Sequence, residues 1–186
     1  MNGVRRTPLK ITDYNGEFRS GSAMLPDSFC LPTELIPDVR NQGDVNSCVA
    51  FSVTNIMQIF NQKEVGKRDR FSPGYVYGKC RDEDDDRKGM IIPEALDYLM
   101  KTGAPFENDF PINEEVPEIT ELVRSRPDLD EKAKPYRIAG YEVYAWAIKE
   151  RKYSAVKEAL YKFRVPILII AIALMIPSFI GMAATR

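Results

Sequence analysis

The sequence predicts an α+β protein built as two lobes. Three observations carry that prediction. Apolar residues recur at helical spacing in segments between residues 47 and 103. Residues 104–135 then hold five prolines and many acids, and read as a connection. Beyond them the pattern becomes strand, helix, strand. With 186 residues the chain has room for one domain or two small lobes, and 44% apolar residues can fill a sizeable core.

Residues 1–40 are loop-like, punctuated by Gly3, Gly16, Gly21, Pro26, Pro32 and Pro37, with Leu25–Phe29 extended over a core. The first helix spans about Ser47–Asn61. Val49, Val53, Ile56, Met57 and Phe60 share one face, and Asn46 or Ser47 can cap the start. Ser72-Pro73 pairs a capping hydroxyl with a proline whose missing N–H costs nothing in the first turn, so a second helix carries Tyr75, Val76 and Tyr77. Arg81–Lys88 is a charged loop. Pro93 opens a third helix with Ala95, Leu96, Leu99 and Met100 inward, and Gly103 closes it. A short helix is expected near Glu118–Arg126, a strand over Tyr136–Tyr144, and a helix over Lys152–Arg164.

Val165–Ala184 carries no polar side chain except Ser178, and basic residues precede it. A membrane span needs about 20 apolar residues, so a tail anchor is one reading. Pro166 and Pro177 disfavour a single straight helix. A strand at Pro166–Ala173, buried on both faces, is the favoured reading. No apolar run follows Arg5-Arg6, so no secretory signal is visible.

The composition excludes several function classes. Net charge is −1, which argues against nucleic-acid binding driven by bulk charge. Three cysteines without a tight spacing pattern do not form a disulfide framework. With no CxxC pair and no histidine, zinc is not expected, and no metal or other cofactor is assigned. The Asp82–Asp86 acidic run lacks the glycine turn and distal Glu of an EF-hand, so it reads as a solvated loop. Cys30 and Cys80 read as structural thiols, and Trp146 as packing between lobes.

The chemistry concentrates at residues 42–48. A thiolate is the reactive form of cysteine, and a helix N-terminus offers unpaired N–H groups and partial positive charge to it. Cys48 lies in the first turn of the first helix, so its thiolate is expected to be favoured. An oxyanion forming beside that sulfur needs aimed donors. The Cys48 N–H is one candidate and the Gln42 side-chain amide, six residues upstream, is the other. Gly43 lets the chain turn tightly between them. Singly, a helical cysteine is more often a small buried hydrophobe and a loop glutamine a solvated side chain; the combination in this order is the informative signal.

Gln42-Gly43-Asp44-Val45-Asn46-Ser47-Cys48-Val49-Ala50-Phe51 resembles the Gln-Gly-x-Cys-Gly-Ser-Cys-Trp-Ala-Phe pattern of papain-like cysteine peptidases. Val39-Arg40-Asn41 extends the match upstream. Leu25-Pro26-Asp27-Ser28-Phe29 resembles the opening of the mature enzymes. Phe71–Tyr77, Gly89, Pro93–Leu99, Gly103 and Phe110-Pro111 follow the family's order, as do Lys157–Leu160 and Val165–Ile167. The resemblance covers most of residues 25–180. It implies a papain-like two-lobe fold with the helical lobe complete and the β lobe partial. The division would be an extension at 1–24, a helical lobe at 25–112, a connecting insertion at 113–135 and the start of the β lobe at 136–186.

The resemblance implies Cys48 as nucleophile and Gln42 as oxyanion donor, with Asn46, Ser47, Gly89 and Met90 along the cleft for a peptide or protein substrate. Val45 stands where the family usually has a disulfide cysteine, which suits a disulfide-poor bacterial or phage type. Asn46 replaces a glycine, Val49 a tryptophan and Met90 a second glycine. The family's catalytic His and Asn follow the strand that Val165–Ala173 resembles, and this chain has no His. The expectation is a peptidase inactive alone, its base supplied by another chain or a continuation. The alternatives are a degenerate peptidase fold used as a binding or structural module, for example in a phage particle, and a tail-anchored protein. A cytoplasmic or virion-associated location is expected.

Overall fold

Helix α1 (Cys48–Val65) is buried on nearly every side: Val49, Ala50, Phe51, Val53, Ile56, Met57 and Ile59 are all inside, and so are Thr54, Gln58 and Asn61. A helix apolar on one stripe coats a core, whereas one buried all round forms its centre. The computed structural model describes residues 28, 30–81, 89–112, 119–145, 161, 168–169 and 180–185. These divide into two units, one within 37–139 and one combining 30–36 with residues from 140 onward.

In the first unit α1 runs one turn further than its apolar stripe. Gln62, Lys63 and Glu64 are good helix formers that carry no core signal, so periodicity alone misses them. Gly66 ends the helix at φ 76°, donating its N–H to Gln62 O at 2.9 Å. Phe60, expected inside, is only half-buried, and Ile59 fills the core instead.

Helix α2 (Pro73–Cys80) starts as its sequence directs. Ser72 Oγ accepts the Tyr75 N–H at 3.0 Å, and Pro73 occupies the first turn. The Ser72 hydroxyl also donates to Phe110 O at 2.5 Å, and its N–H donates to Pro105 O at 2.9 Å. One capping residue thus fixes both a helix start and the course of residues 105–110. Beside it Phe71, Phe106 and Tyr136 form an aromatic cluster with ring centroids 4.6–5.5 Å apart.

Helix α3 (Ile92–Lys101) buries Ile92, Ala95, Leu96 and Leu99. Met100, expected inward, is 38% exposed. It lies about 80° around the helix from Ile92, at the edge of the buried stripe. Gly103 follows at φ 82° and donates its N–H to Leu99 O at 3.0 Å. Helix α4 (Ile119–Arg124) lies where a short helix was expected and packs on α2, with Val123 fully buried. Helix α5 (Asp128–Ala133) was not foreseen. Its acidic surface hides a two-residue buried stripe, Leu129 and Ala133, too short for periodicity to register.

The second unit contains a 3-10 turn at Thr33–Leu35 and a three-stranded antiparallel sheet. Strand β1 (Gly140–Ala145) pairs with β3 (Ile180–Thr185) from Gly140↔Thr185 to Ala145↔Ile180, and β2 (Leu168–Ile169) pairs with the other edge of β3. The first expected strand begins at Gly140 because residues 134–136 form a 3-10 turn with Pro135 near its start. Leu168–Ile169 falls in the expected second strand, and the rest of that strand lies outside the described residues. Strand β3 was not foreseen, because its run is apolar at both parities and rich in Gly and Ala, so no alternation marks it. Among the described residues no helix is long and apolar enough to cross a membrane. Tyr161 is helical, as expected; the remainder of that helix, the 82–88 acidic loop, Trp146 and most of Leu25–Phe29 lie outside the described residues.

Two glycines with similar φ separate strain from packing. A Cβ on Gly66 would meet nothing within 4 Å, whereas one on Gly103 would sit 2.3 Å from Ala133 O. Gly66→Ala is expected to cost about 1 kcal/mol, the left-handed penalty alone. Gly103→Ala is expected to cost more than about 2 kcal/mol, since the backbone of residues 133–136 must also move. Urea denaturation of both variants checks this; equal losses would show that the contact at Gly103 is not tight.

Candidate active site

Residues 37–47 form no helix or strand, so side chains must hold their course. Gly43 adopts φ 61°, and its N–H donates to Asn41 Oδ1 at 3.0 Å. That local bond pins the turn that only a glycine makes cheaply. The chain then folds back onto one carbonyl. Val45 O accepts from Gln42 Nε2 at 3.0 Å, from the Ser47 N–H at 2.7 Å and from Ser47 Oγ at 3.4 Å. The Gln42 amide is thereby tied to the residue before Cys48. One amide hydrogen goes to Val45, and an amide NH₂ has a second.

Ser47 is the N-cap of α1 and is fully buried, but its hydroxyl faces Val45 O instead of accepting a helix N–H. Cys48 is the first helical residue and is partly buried. Burial raises its thiol above the ordinary value. The backbone N–H groups of Val49 and Cys48 pull the other way and do not overcome it. The expected preference for the thiolate is therefore not met: the helix terminus contributes, but desolvation is the larger effect. Cys80 is protonated more firmly still, pushed up to about 12 by burial, with the charge of Glu94 adding to it. All three cysteines are free, and Cys30 is exposed.

Of the other expected site residues, Asn46 lies in the same loop and is partly buried. Gly89 and Met90 are buried, Met90 completely, and an antiparallel bridge joins Met90 to Arg81 at the end of α2. Met90 belongs to the core, with backbone and side chain both out of solvent. Among the described residues no group of three acidic, Cys or His side chains is placed to hold a metal.

Two side-chain clusters escape sequence reading. Arg40, 7% exposed at its side chain, donates to Thr54 Oγ1 (3.1 Å), Asn55 Oδ1 (2.5 Å), Glu107 Oε1 (3.3 Å) and Phe71 O (3.4 Å). Its guanidinium lies 5.2 Å from the centre of the Phe51 ring. Its sequence signals are its place two residues before Gln42 and its part in the Val39-Arg40-Asn41 match. The second cluster joins α2 to α5. Tyr75 Oη donates to Asp130 Oδ1 at 2.6 Å and lies 3.0 Å from Tyr98 Oη, while Lys79 Nζ donates to Asp130 Oδ2 at 3.0 Å. Partial burial would raise the Asp130 carboxyl, but the Tyr75 and Lys79 bonds outweigh it and hold the group below its usual range. Partners 55 residues apart leave no local pattern.

Comparison with solved structures identifies the fold as papain-like. Xylellain, a cysteine protease from Xylella fastidiosa, superposes with a TM-score of 0.56 at 16% identity, over 75% of this chain and 57% of its own. Procathepsin B S9 from Trypanosoma congolense gives 0.53 at 16% identity, over 98% of this chain and 66% of its own. The chain thus spans less than two thirds of the length of either. No family model and no curated protein matches the sequence.

The raised Cys48 thiol makes a testable statement. A thiol whose pKa lies above the ordinary value of about 8.5 is mostly neutral at pH 7. Its alkylation by iodoacetamide is expected to rise with pH through a midpoint above 8.5, read by peptide mapping of Cys48 alone. At pH 7 exposed Cys30 is expected to be modified first. A Cys48 midpoint below about pH 7 would show that helix N–H groups outweigh burial.

Proposed function

We propose that this chain carries the nucleophile and oxyanion-donor part of a papain-like cysteine peptidase site, directed at peptide or isopeptide bonds. One observation carries the reading. In a papain-like fold, the Val45 carbonyl binds the Gln42 amide to the residue before Cys48, and Cys48 opens the buried helix α1. Cys48 would attack the substrate carbonyl carbon. The negative charge passing to the carbonyl oxygen would be met by the Cys48 N–H and the second Gln42 amide hydrogen. Asn46 would border the substrate, whereas Ser47, Gly89 and Met90, expected beside it, are buried. Val45 in the place of a family cysteine supports a disulfide-poor, bacterial or phage type, active in a reducing compartment or a virion.

The reaction also needs a base for the thiol proton and an acid for the leaving amine. These 186 residues contain no histidine. The chain by itself is therefore expected to be inactive or nearly so, with an imidazole coming from a continuation or a partner chain. A second reading, a peptidase fold retained as a binding or structural module, is favoured by one observation: these 186 residues hold no imidazole to take the proton of a Cys48 thiol that is itself partly buried.

Two assays separate the readings. Hydrolysis of fluorogenic peptides by the 186-residue chain is expected not to exceed that of Cys48→Ala. Clear turnover abolished by that substitution would refute inactivity. Acetyl-dipeptide aldehydes need only a thiol and oxyanion donors to form a reversible adduct. At least one of a varied set is expected to bind wild type, with binding lost in Cys48→Ala. Failure of the whole set at millimolar concentration would favour the module.

A further inference from the structure

A loop that is to present an amide donor within a fraction of an ångström needs a rigid anchor, because a misplacement of about 1 Å can cost a hundredfold in rate. The bonds from Gln42 and Ser47 to Val45 O close the loop on itself but do not fix it to the body of the protein. Arg40 supplies that fixation. Only Asn41 separates it from Gln42. Its Nη2 bonds Thr54 and Asn55, and its face covers Phe51, all three within the first eight residues of the helix that Cys48 opens. Its Nη1 bonds Glu107 Oε1 and Phe71 O on the other side.

We propose that Arg40 is a positioning residue for the oxyanion donor: by clamping the start of the Gln42–Ser47 loop to α1, it sets where the Gln42 amide stands relative to Cys48. This rests on the reading of Gln42 and Cys48 given above. In this chain the clamp uses both arms of the planar fork. A lysine carries the same charge on a single point and cannot bond the Thr54–Asn55 pair and the Glu107–Phe71 pair together. Arg40→Lys therefore keeps the charge and loses the clamp.

Aldehyde binding reads the amide position without needing a base to turn over substrate. The Cys48 sulfur bonds to the aldehyde carbon, the carbonyl π pair moves to oxygen, and the thiol proton ends on that oxygen. With the tightest aldehyde of the set, Gln42→Ala is expected to weaken the adduct about tenfold, the worth of one hydrogen bond to the adduct oxygen. Arg40→Lys is expected to weaken it by a similar factor. The double variant should be no more than about twofold worse than either single one, because a misplaced amide and an absent amide are equivalent. Cys48 alkylation by iodoacetamide, which needs no oxyanion donor, should stay within twofold throughout.

Should Arg40→Lys fail to fold, Asn55→Ala removes one arm of the clamp and is expected to weaken the adduct about threefold, again without adding to Gln42→Ala. Losses that multiply in the double variant, or adducts unchanged in Arg40→Lys or Asn55→Ala while Gln42→Ala weakens them, would overturn the positioning role and leave the site reading intact. A Gln42→Ala variant that binds as wild type, or no Cys48-dependent adduct in wild type, would overturn the site reading and this proposal with it.

Discussion

A guanidinium taken almost out of water is the constraint around which the first unit is arranged. Moving a cation from water into a protein interior costs several kcal/mol unless charge and hydrogen bonds replace the lost hydration. Arg40 meets that demand with Glu107 as counter-charge, two α1 side chains, the Phe71 carbonyl and the Phe51 ring. Burial still lowers its pKa despite Glu107, and its Nε lies buried without a partner among the described residues. The partners come from α1, from the residue before Ser72 and from the turn after Phe106. Satisfying one buried charge therefore requires three segments to arrive together. Arg70, 2.8 Å from Asp38 and 4.0 Å from Glu107, extends the same charge pattern to the surface.

Helix α1 makes this arrangement matter for chemistry. Its centre is dry, so Thr54 turns its hydroxyl back to Ala50 O at 2.8 Å as well as accepting from Arg40. Its first residue is the proposed nucleophile. The burial that lets α1 organise the core also reaches Cys48, where it raises the thiol against the pull of the helix N–H groups. Scaffold and site thus compete for the same environment.

How far this was legible in the sequence depends on the range of the interactions. Ser72-Pro73 and Gly103 act within four residues, and both mark their helix ends as expected. The stripe of α1 is readable up to Met57, Phe60 is half-buried, and the last turn is invisible because Gln62–Glu64 extend the helix by propensity and not by burial. Helix α5 and strand β3 carry no hydrophobic period. Gln42 and Cys48 were legible as a pattern. The clamp on their loop was not, because its hydrogen-bond partners lie 14 to 67 residues from Arg40. The direction of the Cys48 shift is not legible for a related reason: helix position is local, whereas desolvation is set by whatever the rest of the chain packs around the sulfur.

The neutral thiol and the missing imidazole are two aspects of one electrostatic situation. A thiolate beside an imidazolium is stabilised by the opposite charge, and the pair can exist where either ion alone would be too costly to desolvate. In these 186 residues no imidazole exists, so the N–H groups of Cys48 and Val49 are the main favourable contribution, and they fall short. A cation brought near Cys48 would oppose the effect of burial without any change in α1. The geometry of the Gln42–Cys48 segment and the protonation of its sulfur are thus separable properties. The first is set by Arg40, Val45 and α1. The second depends on whatever charge stands opposite the thiol.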